Sequence, residues 1–162
     1  MAKEFNIEQS KSKITEIKKG IEDKKKTLDN LKQQKKNLMD AGGAVSASDL
    51  DSVVQETLIE SINASLQEVE NKAYDVSKGA NKNLQEIEQI RQDVDEDISD
   101  SNSTKKKLDQ TKRVLDSLGA GKSLEKGLDK LDSHLQETTE FKGEVISAMK
   151  DLESVYRQLD LL

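Results

Sequence analysis

INASLQEVENKAYDVSKGANKNLQEIEQIRQDVDEDI, residues 62–98, is the stretch on which the fold turns. Ile62, Leu66, Val69, Ala73, Val76, Ala80, Leu84, Ile87, Ile90, Val94 and Ile98 follow one another at steps of three and four. Such steps gather side chains on one stripe of an α-helix, whereas a strand requires alternation. Gly79 is the weak helix former within the stretch, and the chain contains no proline. The spacing predicts a helix over 49–99, about 75 Å long at ~1.5 Å per residue.

The periodicity also decides between folding and disorder. The 162 residues are 36% charged, 33% hydrophobic and 2% aromatic, with a mean hydropathy of −0.80. A composition this polar is shared with chains that bury too little apolar surface to fold. Here the apolar residues are ordered along seams. With two Phe, two Tyr and no Trp, the chain is expected to bury narrow seams between helices rather than a rounded aromatic core.

Upstream, Ile7, Ile14, Ile21 and Leu28 recur every seven residues, and Ile17, Leu31 and Leu38 fill the alternate position, with Lys24 and Lys35 as polar interruptions. This predicts a helix over 5–41, ended by AGGAVSAS at 41–48, where Gly42 and Gly43 suit a C-cap and Ser48 an N-cap. Downstream, the turn-favouring cluster DISDSNST predicts a break at 99–104. A short helix over 104–118 carries Leu108, Thr111, Leu115 and Leu118 and ends in Gly119-Ala120-Gly121. The last, over 123–161, carries Leu124, Leu128, Leu131, Leu135, Thr138, Lys142, Val145, Met149, Leu152, Tyr156 and Leu159. The expected fold is all-α: one elongated domain over 1–162, an antiparallel helical hairpin or bundle with coiled-coil seams.

Charge is uneven. Residues 1–41 hold eleven Lys against seven acids, net +4, so the remainder carries −10 and the total is −6. The first helix is therefore suited to an acidic helix, its own or a partner's. Nucleic acid is disfavoured as a partner by the net negative charge and the scarcity of stacking aromatics. No stretch approaches the roughly 20 apolar residues that span a bilayer, and the first helix lacks the aromatic anchors of a surface-bound one beyond Phe5.

Chemistry-bearing motifs are few. GAGKS at 119–123 resembles the end of a phosphate loop, but Asp116 stands where the first glycine of that loop belongs, and a glycine-capped turn accounts for the stretch. His134 is the sole histidine and reads as a surface residue near Asp132 and Glu137. Acidic runs such as Asp95-Glu96-Asp97 usually solvate a long helix. With one His and no Cys, no nucleophile–base–orienter set assembles and thiolate metal sites are excluded. A non-enzymatic protein without cofactor or metal is expected. MAKEFNIEQSKSK at the start has no apolar segment of the Sec type, so the chain is expected to be cytoplasmic when made and to use a Sec-independent route if it is secreted.

SVYRQLDLL at 154–162 places Tyr156 on the seam between Leu152 and Leu159, with Asp160 one turn further on. An acid in a last helical turn opposes the macrodipole by a few tenths of a kcal/mol. The spacing is equally what a coiled coil produces at its end.

The Lys-rich heptads IEQSKSKITEIKKGIEDKKKTLDNLKQQKKNL, the long second helix after a small-residue turn, and the Tyr-x-x-x-Asp ending together resemble small α-helical proteins of bacterial type VII secretion, the group that accompanies LXG-domain toxins in Gram-positive bacteria. The chain departs from the smallest members of that group in its length and in lacking the Trp of their Trp-x-Gly turn. The resemblance implies a partner or targeting factor that pairs with the helical N-terminal region of a secreted effector, or with a second small helical protein. Tyr156 and Asp160 would be the export signal read by a secretion ATPase, and Ile87, Ile90, Val94, Leu152 and Leu159 the seam facing the partner. The alternative is a self-associating structural coiled coil with no export role.

Overall fold

The computed structural model describes residues 5–162; residues 1–4, the start of the stretch read for a signal peptide, lie outside the described residues. Three helices make up the fold: α1 (Ile7–Ser46), α2 (Ser52–Ser117) and α3 (Lys122–Leu161). There is no strand among the described residues, and the chain is all-α, as the periodicity predicts.

The helix ends are closed by polar side chains, though not by the N-cap that the sequence suggests. Asn6 Oδ1 accepts a hydrogen bond from the Gln9 amide at the start of α1, and Asp51 Oδ1 accepts one from the Val53 amide at the start of α2. The α1 end is satisfied from across the turn. The Gln55 amide donates to the carbonyls of Val45 and Ser48, and the Ser48 hydroxyl donates to Val45 O at 2.6 Å. Ser48 therefore closes α1 instead of opening α2. At the other turn Gly119 has φ +75°, while the Gly119 amide reaches Asp116 O and the Ala120 amide reaches Leu115 O. That pair of bonds is a Schellman closure, which needs a left-handed residue and so selects glycine. The expected glycine-capped turn stands at this position.

Of the two expected breaks, the first is displaced to residues 47–51 and the second is absent. α1 continues through Gly42 and Gly43 to Ser46. Neither glycine has a positive φ, and a Cβ at Gly42 would meet only Ile62 Cγ2, at 3.9 Å. Gly43→Ala, with nothing within 4 Å of its Cβ, is therefore expected to stabilise the protein by about 0.5–1 kcal/mol, from helix propensity alone; chemical denaturation of the variant checks this.

The second break, at 99–104, lies inside α2. Its Ser, Asn and Asp residues each cost a few tenths of a kcal/mol in a helix. Against that, Val94, Ile98, Ser101, Lys105, Leu108, Lys112 and Leu115 keep the three-and-four spacing across it. Ser101 occupies the core position and is buried. Packing along an unbroken stripe outweighs the local preference for a turn.

The packing divides into two units, Met1–Glu16 with Gln85–Met149 (unit 1) and Ile17–Leu84 with Lys150–Leu162 (unit 2). In unit 1, α2 and α3 run antiparallel, with Asp95 against Lys142, Lys105 against Asp132 and Lys112 against Glu125. The start of α1 joins them through Lys11 to Glu137 and Lys13 to Glu86. Its core contains Ile14, Ile87, Val94, Thr138, Phe141 and Val145, each 1% exposed or less.

In unit 2, α1 and α2 form the antiparallel pair. Lys24 lies against Gly79, where a Cβ would come within 2.8 Å of Lys24 Cε. The glycine that weakens the sequence pattern thus makes room for the lysine that interrupts the opposite one. The core here is Ile17, Ile21, Leu28, Leu31, Val69, Val76, Ala80, Leu152 and Val155.

The seam of α3 is shifted from the expected one. Thr138, Val145 and Leu152 are buried as expected, but the innermost residues between them are Phe141, Ala148 and Val155. Lys142, Met149 and Tyr156, one position further along, are half-buried. Both lines share the same spacing. A helix packed between neighbours buries an arc wider than a two-position seam, so adjacent lines both qualify.

Candidate export signal and helical seam

The end of α3 belongs to unit 2, where Leu152 and Val155 anchor it in the core at 1% and 0% exposure. Tyr156, beside them, is half-buried, and its hydroxyl donates to Asn81 Oδ1 of α2 at 2.5 Å. The ring is thereby held in one orientation by a neighbouring helix. Asp160 follows one turn later and is exposed; Leu159 is half-buried between them in sequence and Leu161 is 75% exposed. The expectation that Tyr156 is a seam residue is corrected: Val155 takes the innermost position and Tyr156 the flank.

α3 has no basic residue in its own last turn. Lys35 of α1 supplies the charge, its ammonium donating to the carbonyl oxygen of Leu162. A cation at a helix C-terminus offsets the negative end of the dipole, which an acid such as Asp160 would otherwise aggravate. Lys35, an interruption when α1 is read alone, is thus an ion placed for the end of α3.

Ile87, Ile90 and Val94 are 0%, 8% and 0% exposed within unit 1, and Leu152 is 1% exposed within unit 2. These four face other helices of their own chain. The reason lies in α2: it is longer than either neighbour, and within unit 1 it pairs with α3 from Asp95–Lys142 to Lys112–Glu125. Apolar surface that the sequence leaves open for a partner is covered internally. Leu159 alone of the five expected seam residues keeps partial exposure.

Sequence reading passed over one polar cluster. His134 Nε2 lies 2.7 Å from Asp97 Oδ2, and the fully buried Thr138 hydroxyl lies 3.3 Å from the same oxygen and 2.8 Å from His134 O. His134 is therefore paired across to α2 rather than with its sequence neighbours: Asp132 pairs with Lys105 and Glu137 with Lys11. Those hydrogen bonds hold the Lys105 and Lys11 ammonium groups above their ordinary range.

In the cluster the carboxylate stands between the imidazole and the hydroxyl, so no histidine nitrogen is aimed at the Thr138 oxygen as a base would be. The arrangement satisfies buried polar groups across the α2–α3 interface. The signal was present as a heptad-spaced pair, His134 and Thr138 four residues apart, but the partner Asp97 is 37 residues away from His134. Among the described residues no group of three or more His, Cys, Asp or Glu side chains could hold a metal ion, and no helix is long and apolar enough to cross a membrane.

No family model, curated protein or solved structure matches the chain.

Proposed function

We propose that the chain is a non-enzymatic helical partner or targeting factor for a secreted LXG-type toxin, carrying a Tyr156–Asp160 export mark for a type VII secretion ATPase. The observation that carries this reading is the display at the end of α3. Tyr156 is held against Asn81 by its hydroxyl, and Asp160 is exposed one turn on. A tyrosine held in this way loses little conformational freedom on binding, which helps make a short signal readable.

Leu152, Ile87, Ile90 and Val94 serve the reading indirectly, by holding α2 and α3 in place from within the two cores. Pairing with the helical N-terminal region of the effector, or with a second small helical protein, falls to surfaces outside those buried stripes.

The test is export from cells with an intact type VII apparatus. Asp160 is exposed and outside the core, so Asp160→Ala should change stability by no more than about 0.5 kcal/mol. Wild type, or the toxin that depends on it, should reach the medium, while Asp160→Ala stays inside the cells with an unchanged circular dichroism spectrum. Equal export of both would leave SVYRQLDLL as nothing more than the last turns of a helix, and the self-associating structural reading would take its place.

A further inference from the structure

The two hairpin turns present surfaces of opposite character. Around the α1–α2 turn, residues 37–71 contain Asp40, Asp49, Asp51, Glu56, Glu60, Glu68 and Glu70 and no Lys or Arg. All seven acids are exposed, and none forms an ion pair among the described residues. Large apolar residues stand exposed among them: Val53 at 67%, Val54 at 45% and Leu58 at 39%. Val54 and Leu58, four apart, share one face of α2.

Around the α2–α3 turn the balance reverses. Residues 105–126 hold seven Lys and Arg against three acids, net +4. Lys105 and Lys112 are engaged within unit 1, whereas Lys106, Lys107 and Arg113 are exposed and make no ion pair among the described residues. They flank Val114, 61% exposed, and Leu118, 74% exposed.

We propose that the acidic, apolar hairpin end of unit 2 docks onto the basic, apolar hairpin end of unit 1 of a second copy of this chain. Like ends are excluded as partners, because pairing two acidic ends would bring −7 against −7, and like charges in contact oppose association. Unlike ends bring complementary charge around apolar centres of matching kind. Such a contact is heterologous, using a different patch on each copy. It does not rest on the export reading: neither Tyr156 nor Asp160 is among the residues it uses.

Sedimentation of the purified full-length chain tests this without any secretion component. The average mass should rise with concentration at about 0.1 M salt and fall toward the monomer at about 1 M, where the screening length drops from ~10 Å to ~3 Å. Two variants weaken the charge of one end each: Glu56→Lys with Glu60→Lys takes residues 37–71 from −7 to −3, and Lys106→Glu with Arg113→Glu takes residues 105–126 from +4 to 0. All four positions are exposed, so helix content by circular dichroism should be unchanged.

Each variant alone should weaken self-association by about tenfold or more. Val114→Ser should weaken it as well; this substitution changes no charge, so an unspecific attraction between charged proteins would not respond to it. A chain that is monomeric at low salt overturns the proposal. So does association that survives either pair of substitutions unchanged.

Discussion

Val94→Asp should unfold unit 1. Val94 is 0% exposed, on a stripe of α2 with Ile87 and Ile90, and a carboxylate placed there meets apolar side chains instead of water. An uncompensated buried charge costs about 3–5 kcal/mol, a large share of the ~5–15 kcal/mol by which folded domains are stable. The expected result is a strong loss of helical signal, or a midpoint in urea far below that of wild type. Val53→Asp, at a position 67% exposed on the same helix, should behave like wild type within about 0.5 kcal/mol. The contrast separates two roles for the stripe. A Val94→Asp protein that keeps its helix content and stability while losing a binding partner would return Ile87, Ile90 and Val94 to the partner-facing role that the sequence suggests.

Phe141→Ala is the second large effect. Phe141 is 1% exposed and ranks first by volume among the fully buried side chains. Removing a buried phenyl ring loses its transfer energy and leaves a cavity that close-packed neighbours fill only in part, a cost of about 3–5 kcal/mol. In a core with so few aromatics, no other ring is near in sequence to move into the space. Denaturant unfolding should show a reduced midpoint, with an unchanged slope if unfolding remains two-state. A loss below about 1 kcal/mol, within the range of ordinary substitutions, would mean that the α3 core runs along Lys142 after all.

Phe141 also illustrates where sequence reading reaches its boundary. Thr138, Phe141, Val145, Ala148, Leu152 and Val155 advance by three and four, and so do Thr138, Lys142, Val145, Met149, Leu152 and Tyr156. Periodicity identifies the helix and three shared core positions but does not choose between the flanking lines. That choice depends on the direction from which α1 and α2 approach α3, which no local pattern contains. α1 was the most legible element: Ile14, Ile17, Ile21, Leu28 and Leu31 are all buried.

The candidate signal divides in the same way. Tyr156 and Asp160 were legible from their spacing, and Asp160 is exposed as expected. The hold on Tyr156 was not, because Asn81 is 75 residues away. Lys35 and Gly79 read as flaws in their own helices, and each is accounted for only by a distant part of the chain: Lys35 by the carbonyl oxygen of Leu162, just past α3, Gly79 by the side chain of Lys24.

By itself, then, the sequence determined that the fold is all-α, that Gly119 closes α2, and which stripe of α1 turns inward. These follow from interactions within about four residues, which periodicity and glycine placement encode directly. Tertiary structure alone decided that α2 runs unbroken through 99–104, that Phe141 and Val155 lie innermost, and that Ile87, Ile90 and Val94 are covered by the chain's own helices. At 99–104 a local preference worth a few tenths of a kcal/mol per residue competes with the burial of whole apolar side chains, worth about 1.5–3 kcal/mol each; at the other positions no local preference chooses. Burial prevails, and it comes from contacts between residues far apart in the chain.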